Sequence, residues 1–373
     1  MEDLINIRKY FHQHPELSGK EYNTINKIES LVKNYKPTSI LNLANTGKAF
    51  VFDSKILGKT TIIRADIDAL PIQENNALPH KSKNKGVSHL CGHDGHTTIV
   101  IGLAQYLKKF PPAKGKVVLL FQPAEETGNG AHQVIQDKNF KKIEPDYVFG
   151  LHNIPSEKLH TIICKENTFA SASKGMTIKL IGKTSHAAEP EKGISPTLAV
   201  SELIKELELI KLNQSFKQKI LLTIVHIQLG EIAFGTSPGY AEIRVTLRAY
   251  LNEDLDQLTF TCQNCIKQIA STYNLKHNIE YSEIFPATTN HKDCTTYIKN
   301  ATKNNNLIYK PIDQPYKWSE DFGYYTNLYK GGFFGLGAGI NQPALHNAHY
   351  DFPDSLLESG INMFKEIIKQ IHY

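Results

Sequence analysis

The chain has 373 residues, 42 Lys plus Arg against 37 Asp plus Glu, a formal net charge of +5 and 40% hydrophobic residues. That length exceeds one ordinary core and predicts two domains, or one large domain carrying an insertion. The charge is dispersed, with no long basic run and no aromatic interleaving, which argues against a nucleic-acid partner, and no apolar run approaches the ~20 residues of a membrane span. The first residues, Met1-Glu2-Asp3-Leu4-Ile5-Asn6, lack a basic segment followed by an apolar core, so a cytoplasmic location is expected. Five cysteines at irregular spacing do not build a disulfide framework, and this fits a reducing compartment.

The first predicted element is a helix over 2–12, ended by Pro15. Ser18 and Glu21 read as a capping box ahead of Tyr22, Ile25, Ile28, Leu31 and Val32, a second helix. Thr60 to Asp66 reads as a buried strand that runs into Asp68 and Pro71. After the stretch Ser88 to His96, the sequence predicts a helix from Thr97 to Phe110, closed by Pro111-Pro112. Lys116 to Phe121 is the next strand and delivers Glu125-Glu126; Asp146 to Leu151 follows and delivers His152. Continuous apolar strands alternating with helices predict an α/β fold, a mainly parallel sheet with helices on both faces whose ligands gather at the carboxyl ends of the strands.

From about Thr168 the texture changes. Met176, Ile178 and Leu180 alternate as in a half-buried strand, and the loop Gly182 to Pro190, which includes His186, follows. A helix over 196–209, strands over 221–229 and 241–250, and a helix from Leu255 to about Tyr273 complete an α+β unit that reads as an inserted domain. Cys262 and Cys265 lie in that second helix, where small apolar thiols suit a buried face better than a redox or zinc role. The remainder returns to the first texture, with the Gly-rich strand 331–339 followed by His346 and His349.

Chemistry concentrates in Cys91-Gly92-His93-Asp94-Gly95-His96, where Cys and His flank a glycine that permits a tight backbone path. Cys91, His93, Glu125, Glu126, His152 and His346 exceed the four ligands of one structural zinc, whereas two metals sharing a bridging ligand would use them fully. The adjacent Glu pair suits this, because one carboxylate can bind metal while the other stays free as a base. Such a base takes a proton from a metal-activated water for attack on a polarised carbonyl, the chemistry of amide hydrolysis. A thiolate ligand favours zinc, while carboxylates and water leave manganese, nickel or cobalt open.

Arg64-Ala65-Asp66-Ile67-Asp68-Ala69-Leu70-Pro71, the Cys91 to His96 run, Gln122-Pro123-Ala124-Glu125-Glu126, Gly150-Leu151-His152 and Gly182 to Pro190 resemble the amidohydrolase branch of the aminoacylase and carboxypeptidase dimetal metallopeptidases. That branch includes hippurate hydrolase, auxin-conjugate hydrolases and N-acetyldiaminopimelate deacetylase. The resemblance spans nearly the whole chain, from His14-Pro15-Glu16-Leu17-Ser18 to Leu345-His346. It implies a dimetal catalytic domain at 1–167 and 286–373, interrupted at 168–285 by a smaller α+β lid or dimerisation domain with a four-stranded sheet and two helices.

It further implies metal ligands at Cys91 (bridging), His93, Glu126, His152 and His346, a general base at Glu125, and Asp66 orienting a ligand imidazole. His186 would stabilise the oxyanion, from the partner subunit in relatives that dimerise through the inserted domain. The implied activity is removal of an acyl group, acetyl above all, from an amino acid or related small amine, using two divalent ions, zinc or manganese first. A dipeptidase or aminopeptidase of the same dimetal type and a catalytically silent metal-binding protein remain as alternatives. Gly235-Thr236-Ser237-Pro238 departs from the branch's Asn-Val-Ile-Pro, which leaves the substrate open, and Arg248 with Glu320-Asp321 are candidates to hold it.

Overall fold

The computed structural model describes residues 1–212 and 215–373. In chain order the first part contains α1 (Glu2–Gln13), α2 (Tyr22–Val32), β1 (Ser39–Leu43), β2 (Gly47–Asp53), β3 (Thr60–Asp66), α3 (His93–Lys109), β4 (Lys116–Gln122), α4 (Gly130–Gln136), β5 (Tyr147–Pro155), β6 (Ile162–Cys164) and β7 (Asn167–Ala170). Then come β8 (Ala172–Ile181), β9 (Ser185–His186), α5 (Thr197–Ile210), β10 (Ile220–Leu229), β11 (Thr236–Ser237), β12 (Tyr240–Ala249), α6 (Asn252–Thr272) and β13 (Lys276–Phe285). The last part contains β14 (Thr288–Asn290), α7 (Lys292–Asn304), β15 (Tyr309–Pro311), α8 (Gly323–Thr326), β16 (Lys330–Gly339) and α9 (Leu356–His372).

Two compact units result, one of residues 1–169, 288–315 and 320–373, the other of 170–287 with 316–319. The larger unit holds an eight-stranded sheet in the order β1-β2-β4-β3-β5-β16-β6-β15. Its centre, β4-β3-β5-β16, is parallel, and β1 and β2 extend it antiparallel. Every residue of β3 is buried, the run expected of a strand covered on both faces. α3 packs on β3 and β4 and against α1 and α9. α9 buries Leu356, Leu357, Ile361, Phe364, Ile368 and Ile371, a helical stripe that seals this core.

Two boundaries differ from the sequence reading. α3 begins at His93 rather than Thr97, because Gly92 adopts φ +94° as its N-cap, so the Cys/His run turns directly into the helix; a Cβ at Gly92 would meet the Asn153 side chain. The capping box at α2 is absent. Ser18 Oγ donates to Asp68 Oδ2 at 2.6 Å, and Glu16 supplies the cap instead, accepting the Asn23 and Thr24 N–H groups at 3.2 and 2.8 Å.

In the smaller unit the antiparallel order is β10-β12-β8-β13. Met176, Ile178 and Leu180 pack with Ile243, Val245 and Leu247 of β12 and with α5 and α6. Cys262 is buried in that core, and the five cysteines are free thiols. β9 and β11 form a separate ribbon in which His186 faces Thr236. Among the described residues no helix is long and apolar enough to cross a membrane.

Candidate metal centre

Three turns and one strand bring the donors together at one end of the large sheet. Cys91 precedes the left-handed Gly92, and His93 opens α3. β4 ends at Gln122 and the chain passes through Ala124, at φ +53°, into Glu125 and Glu126. His152 projects from β5. His346, at φ +65°, follows β16 and anchors its N–H on the Leu90 carbonyl at 2.9 Å.

Sγ of Cys91 lies 3.4 Å from Nε2 of His152. Glu126 spans the rest, with Oε1 3.8 Å from Nε2 of His93 and Oε2 3.6 Å from Nε2 of His346. Donor atoms of Cys91, His93 and His152 lie within 4.8 Å of one another, as do those of Cys91, Glu126 and His346, and those of His93, Glu125 and Glu126. Cys91, His93, Glu125 and His152 are buried, whereas His346 is half-exposed.

Hydrogen bonding aims the imidazoles. Nδ1 of His152 bonds the Asn153 carbonyl at 2.9 Å, and Nδ1 of His93 bonds the Asp68 carbonyl at 3.0 Å, so each turns Nε2 toward the centre. The buried Nε2 of His93 has no hydrogen-bond partner. Protons and metal compete for these donors. Burial pushes the Cys91 thiol well up, with Glu126 and Glu125 adding to it. Burial lifts Glu126 to about 7 against the pull of His93. For His93 burial opposes the charged form, yet Asp66, Asp68 and Glu126 outweigh it and hold the pKa at about 10. A set of one thiol, three imidazoles and carboxylates, buried except at His346 and with an unpartnered ring nitrogen on His93, fits divalent cations, whose charge would displace those protons.

Asp66 lies close to His93, its Oδ2 3.7 Å from Nε2, and its hydrogen bonds go elsewhere. Its Oδ1 accepts from Nδ1 of His96 at 2.7 Å and its Oδ2 from Arg64 at 2.6 Å, while the residue that serves His93 is Asp68. Asp68 Oδ2 also accepts the Glu126 N–H at 3.0 Å, so one aspartate sets two donors. Asp66 is the last residue of β3 and stays beside Arg64 on the sheet; Asp68, two residues further, has left the strand.

Glu320 and Asp321, the candidates to hold substrate, are both buried against Arg64 at 2.8 and 2.7 Å. Arg64 also donates to Gln122 at 2.9 Å, and the Asp321 N–H donates to Glu125 Oε1 at 3.3 Å. Burial raises the Glu125 carboxyl well above its ordinary value, and Glu320, Glu126 and Asp321 raise it further. Behind the donors, Arg8 binds Asp94, Asp351 and Asp354 at 3.2, 2.6 and 2.7 Å, tying the start of α3 to the segment after His346. His12 joins it, with Nδ1 2.9 Å from Asp94 and Nε2 3.3 Å from Glu74.

In the smaller unit His186 is exposed, and its Nδ1 accepts the Ala188 N–H at 3.0 Å. The divergent segment lies beside it: Thr236 and Ser237 pair with His186 and Ser185, and the Gly235 carbonyl accepts the Ala187 N–H at 3.0 Å. Arg248 donates to Lys317 O and Ser319 Oγ at 3.0 and 2.9 Å. Arg64, Asp68, His96 and Glu21 escaped the sequence reading as site-shaping residues. Only the density of charge in Arg64 to Asp68 hinted at the first two.

Residues 62–370 match the model of peptidase family M20/M25/M40. The chain is 35% identical over 339 residues to the N-acetyl-L-cysteine deacetylase of Bacillus subtilis (strain 168), covering 89% of this chain and 79% of the relative. It is 31% identical to the hippurate hydrolase of Campylobacter jejuni, covering 97% of this chain and 94% of the relative. A crystal structure of a dinuclear metal-binding peptidase of the M20 family from Bacillus subtilis superposes with a TM-score of 0.84 at 27% identity, over 98% of this chain and 97% of that one.

Proposed function

We propose that this chain, which belongs to peptidase family M20/M25/M40, is a metal-dependent amidohydrolase that cleaves the amide bond of N-acyl amino acids or related small amides, with acetyl the preferred acyl group. The observation that carries this reading is the division of labour between two adjacent carboxylates. Glu126 lies among Cys91, His93 and His346, whereas Glu125 Oε1 turns to the Asp321 N–H in a buried acidic pocket.

Cys91 as bridge, His93, Glu126, His152 and His346 would hold two divalent ions, zinc or manganese first. Bound there, the ions would polarise the scissile carbonyl and lower the pKa of water. Glu125 takes the proton of the attacking water and passes it to the leaving amine, a role that needs its carboxylate free of the metal donors and held in the pocket beside the Asp321 N–H. Asp68 keeps His93 and Glu126 in place, and Asp66 with Arg64 holds the charge behind them. The same reading gives His186 the oxyanion role. A homodimer through the smaller unit accords with β10, a sheet edge that exposes Val225, Ile227 and Leu229. The free thiols accord with a cytoplasmic location.

The test is metal content with amine release from a panel of N-acetyl and N-benzoyl amino acids and dipeptides, for the parent and Glu125→Gln. The expected result is two metals per chain, metal-dependent deacylation, and loss of kcat by about 10³ in Glu125→Gln with metal retained. Activity of that variant within a few-fold of the parent eliminates Glu125 as base, and turnover of dipeptides alone replaces the acyl-amino-acid reading with a peptidase.

A further inference from the structure

Ala124 is an exception in the backbone: a buried, β-carbon-bearing residue at φ +53°, directly before the two carboxylates that the proposed chemistry separates. Left-handed backbone is unfavourable for any residue with a Cβ and persists only where neighbours enforce it. Here the partner of the Ala124 N–H is visible. Glu21, fully buried at the start of α2, accepts the Ala124 N–H on Oε1 at 2.9 Å. The same oxygen accepts the Gly19 N–H at 2.8 Å, and Oε2 accepts the Thr46 hydroxyl at 2.7 Å, so the carboxylate is held from three sides.

The turn beyond Ala124 is set by that conformation. The Ala124 carbonyl accepts the Gly130 N–H at 3.0 Å, the Glu125 carbonyl accepts the Gly128 N–H at 2.8 Å, and the Glu126 N–H reaches Asp68 at 3.0 Å. Rotating Ala124 back to a right-handed conformation would redirect both carboxylates at once. Removing Glu21 would also leave a buried N–H without an acceptor.

We propose that Glu21, 103 residues away in sequence, is a positioning residue for the Glu125–Glu126 pair, holding Ala124 in the left-handed conformation that aims one carboxylate at the metal donors and the other at the water. The inference rests on the functional reading above for what the pair does. Its geometric part stands on its own.

The experiment compares the metal-loaded parent with Glu21→Ala, Glu21→Gln, Ala124→Gly and the double variant Glu21→Ala/Ala124→Gly. It reads kcat and KM separately, zinc affinity by chelator competition, and amide hydrogen exchange over residues 124–128. Glu21→Ala should lower kcat about 10- to 100-fold with KM within about twofold, because misdirecting a catalytic group by an ångström has effects of that size. Exchange over 124–128 should accelerate and zinc affinity should fall. Glu21→Gln, which keeps one acceptor, should lie between. Ala124→Gly should stay near the parent, and the double variant should recover to within about fivefold of it, since glycine adopts the left-handed conformation unaided.

The inference is overturned if exchange over 124–128 and kcat are unchanged in the Glu21 variants, or if the double variant is no better than Glu21→Ala. Should Glu21→Ala fail to fold, Glu21→Gln decides by the same readouts. A parent that binds zinc but cleaves no N-acyl amino acid defeats the functional reading alone, and exchange with zinc affinity then decides the role of Glu21.

Discussion

Replacing His12 by Gln probes the charged cage behind the metal centre, and the structure sets both the size and the pH range of the effect. Burial alone would discharge this imidazole, but hydrogen bonds to Asp94 and Glu74, together with the charges of Asp94 and Asp351, hold its pKa at about 10 against an ordinary 6.5. A folded-state pKa above the unfolded one means stability is fully present below about 6.5 and is lost as pH rises through about 10. The difference corresponds to at most about 5 kcal/mol. His12→Gln keeps an amide N–H donor for one of the two carboxylates but cannot carry the proton. Urea unfolding of the metal-free proteins at pH 6, 8 and 10 should therefore show the parent several kcal/mol more stable than His12→Gln at pH 6. The gap should close by several kcal/mol toward pH 10. A gap that does not change between pH 6 and 10 would refute the assignment of a buried imidazolium.

The centre should also release protons when it is loaded, because without metal Cys91 and His93 hold theirs well above neutral pH and Glu126 holds its own up to about 7. Calorimetric titration with zinc at pH 6.5 in buffers of different ionisation enthalpy should show more than one proton released per chain; none would contradict the donor set. Cys91→Ser should lower metal content in dialysed protein below that of the parent, and unchanged stoichiometry would remove Cys91 from the ligands. Asp68→Ala should weaken metal binding by about 10- to 100-fold through loss of its grip on Glu126, and parent-like affinity in chelator competition would limit Asp68 to packing.

Local chemistry was legible because it is written in short runs. Cys91-Gly92-His93, Glu125-Glu126 and His152 could be named as donors, since each follows an apolar strand or a glycine turn and sheets of this kind gather ligands at strand ends. The alternation of Met176, Ile178 and Leu180 likewise announced the smaller sheet before its partners were known. What stayed hidden depends on partners distant in sequence. Ser18 and Glu21 satisfy a capping pattern, yet Ser18 bonds Asp68 and Glu21 bonds Ala124 and Thr46, because their neighbours in space are the exits of β3 and β4 and the entry of β2. Glu320 and Asp321 read as candidates to hold substrate, and their partner Arg64 lies 256 and 257 residues away in sequence.

From residue types alone, then, come the Cys, His and Glu side chains that could bind a metal and the alternation that calls for a parallel sheet. Which aspartate serves His93 and which carboxylate meets the Ala124 N–H are decided by the packing around β4-β3-β5-β16, which sets loops far apart in sequence side by side. A buried polar group must bond whatever lies within about 3 Å of it, and that neighbour is a property of the fold.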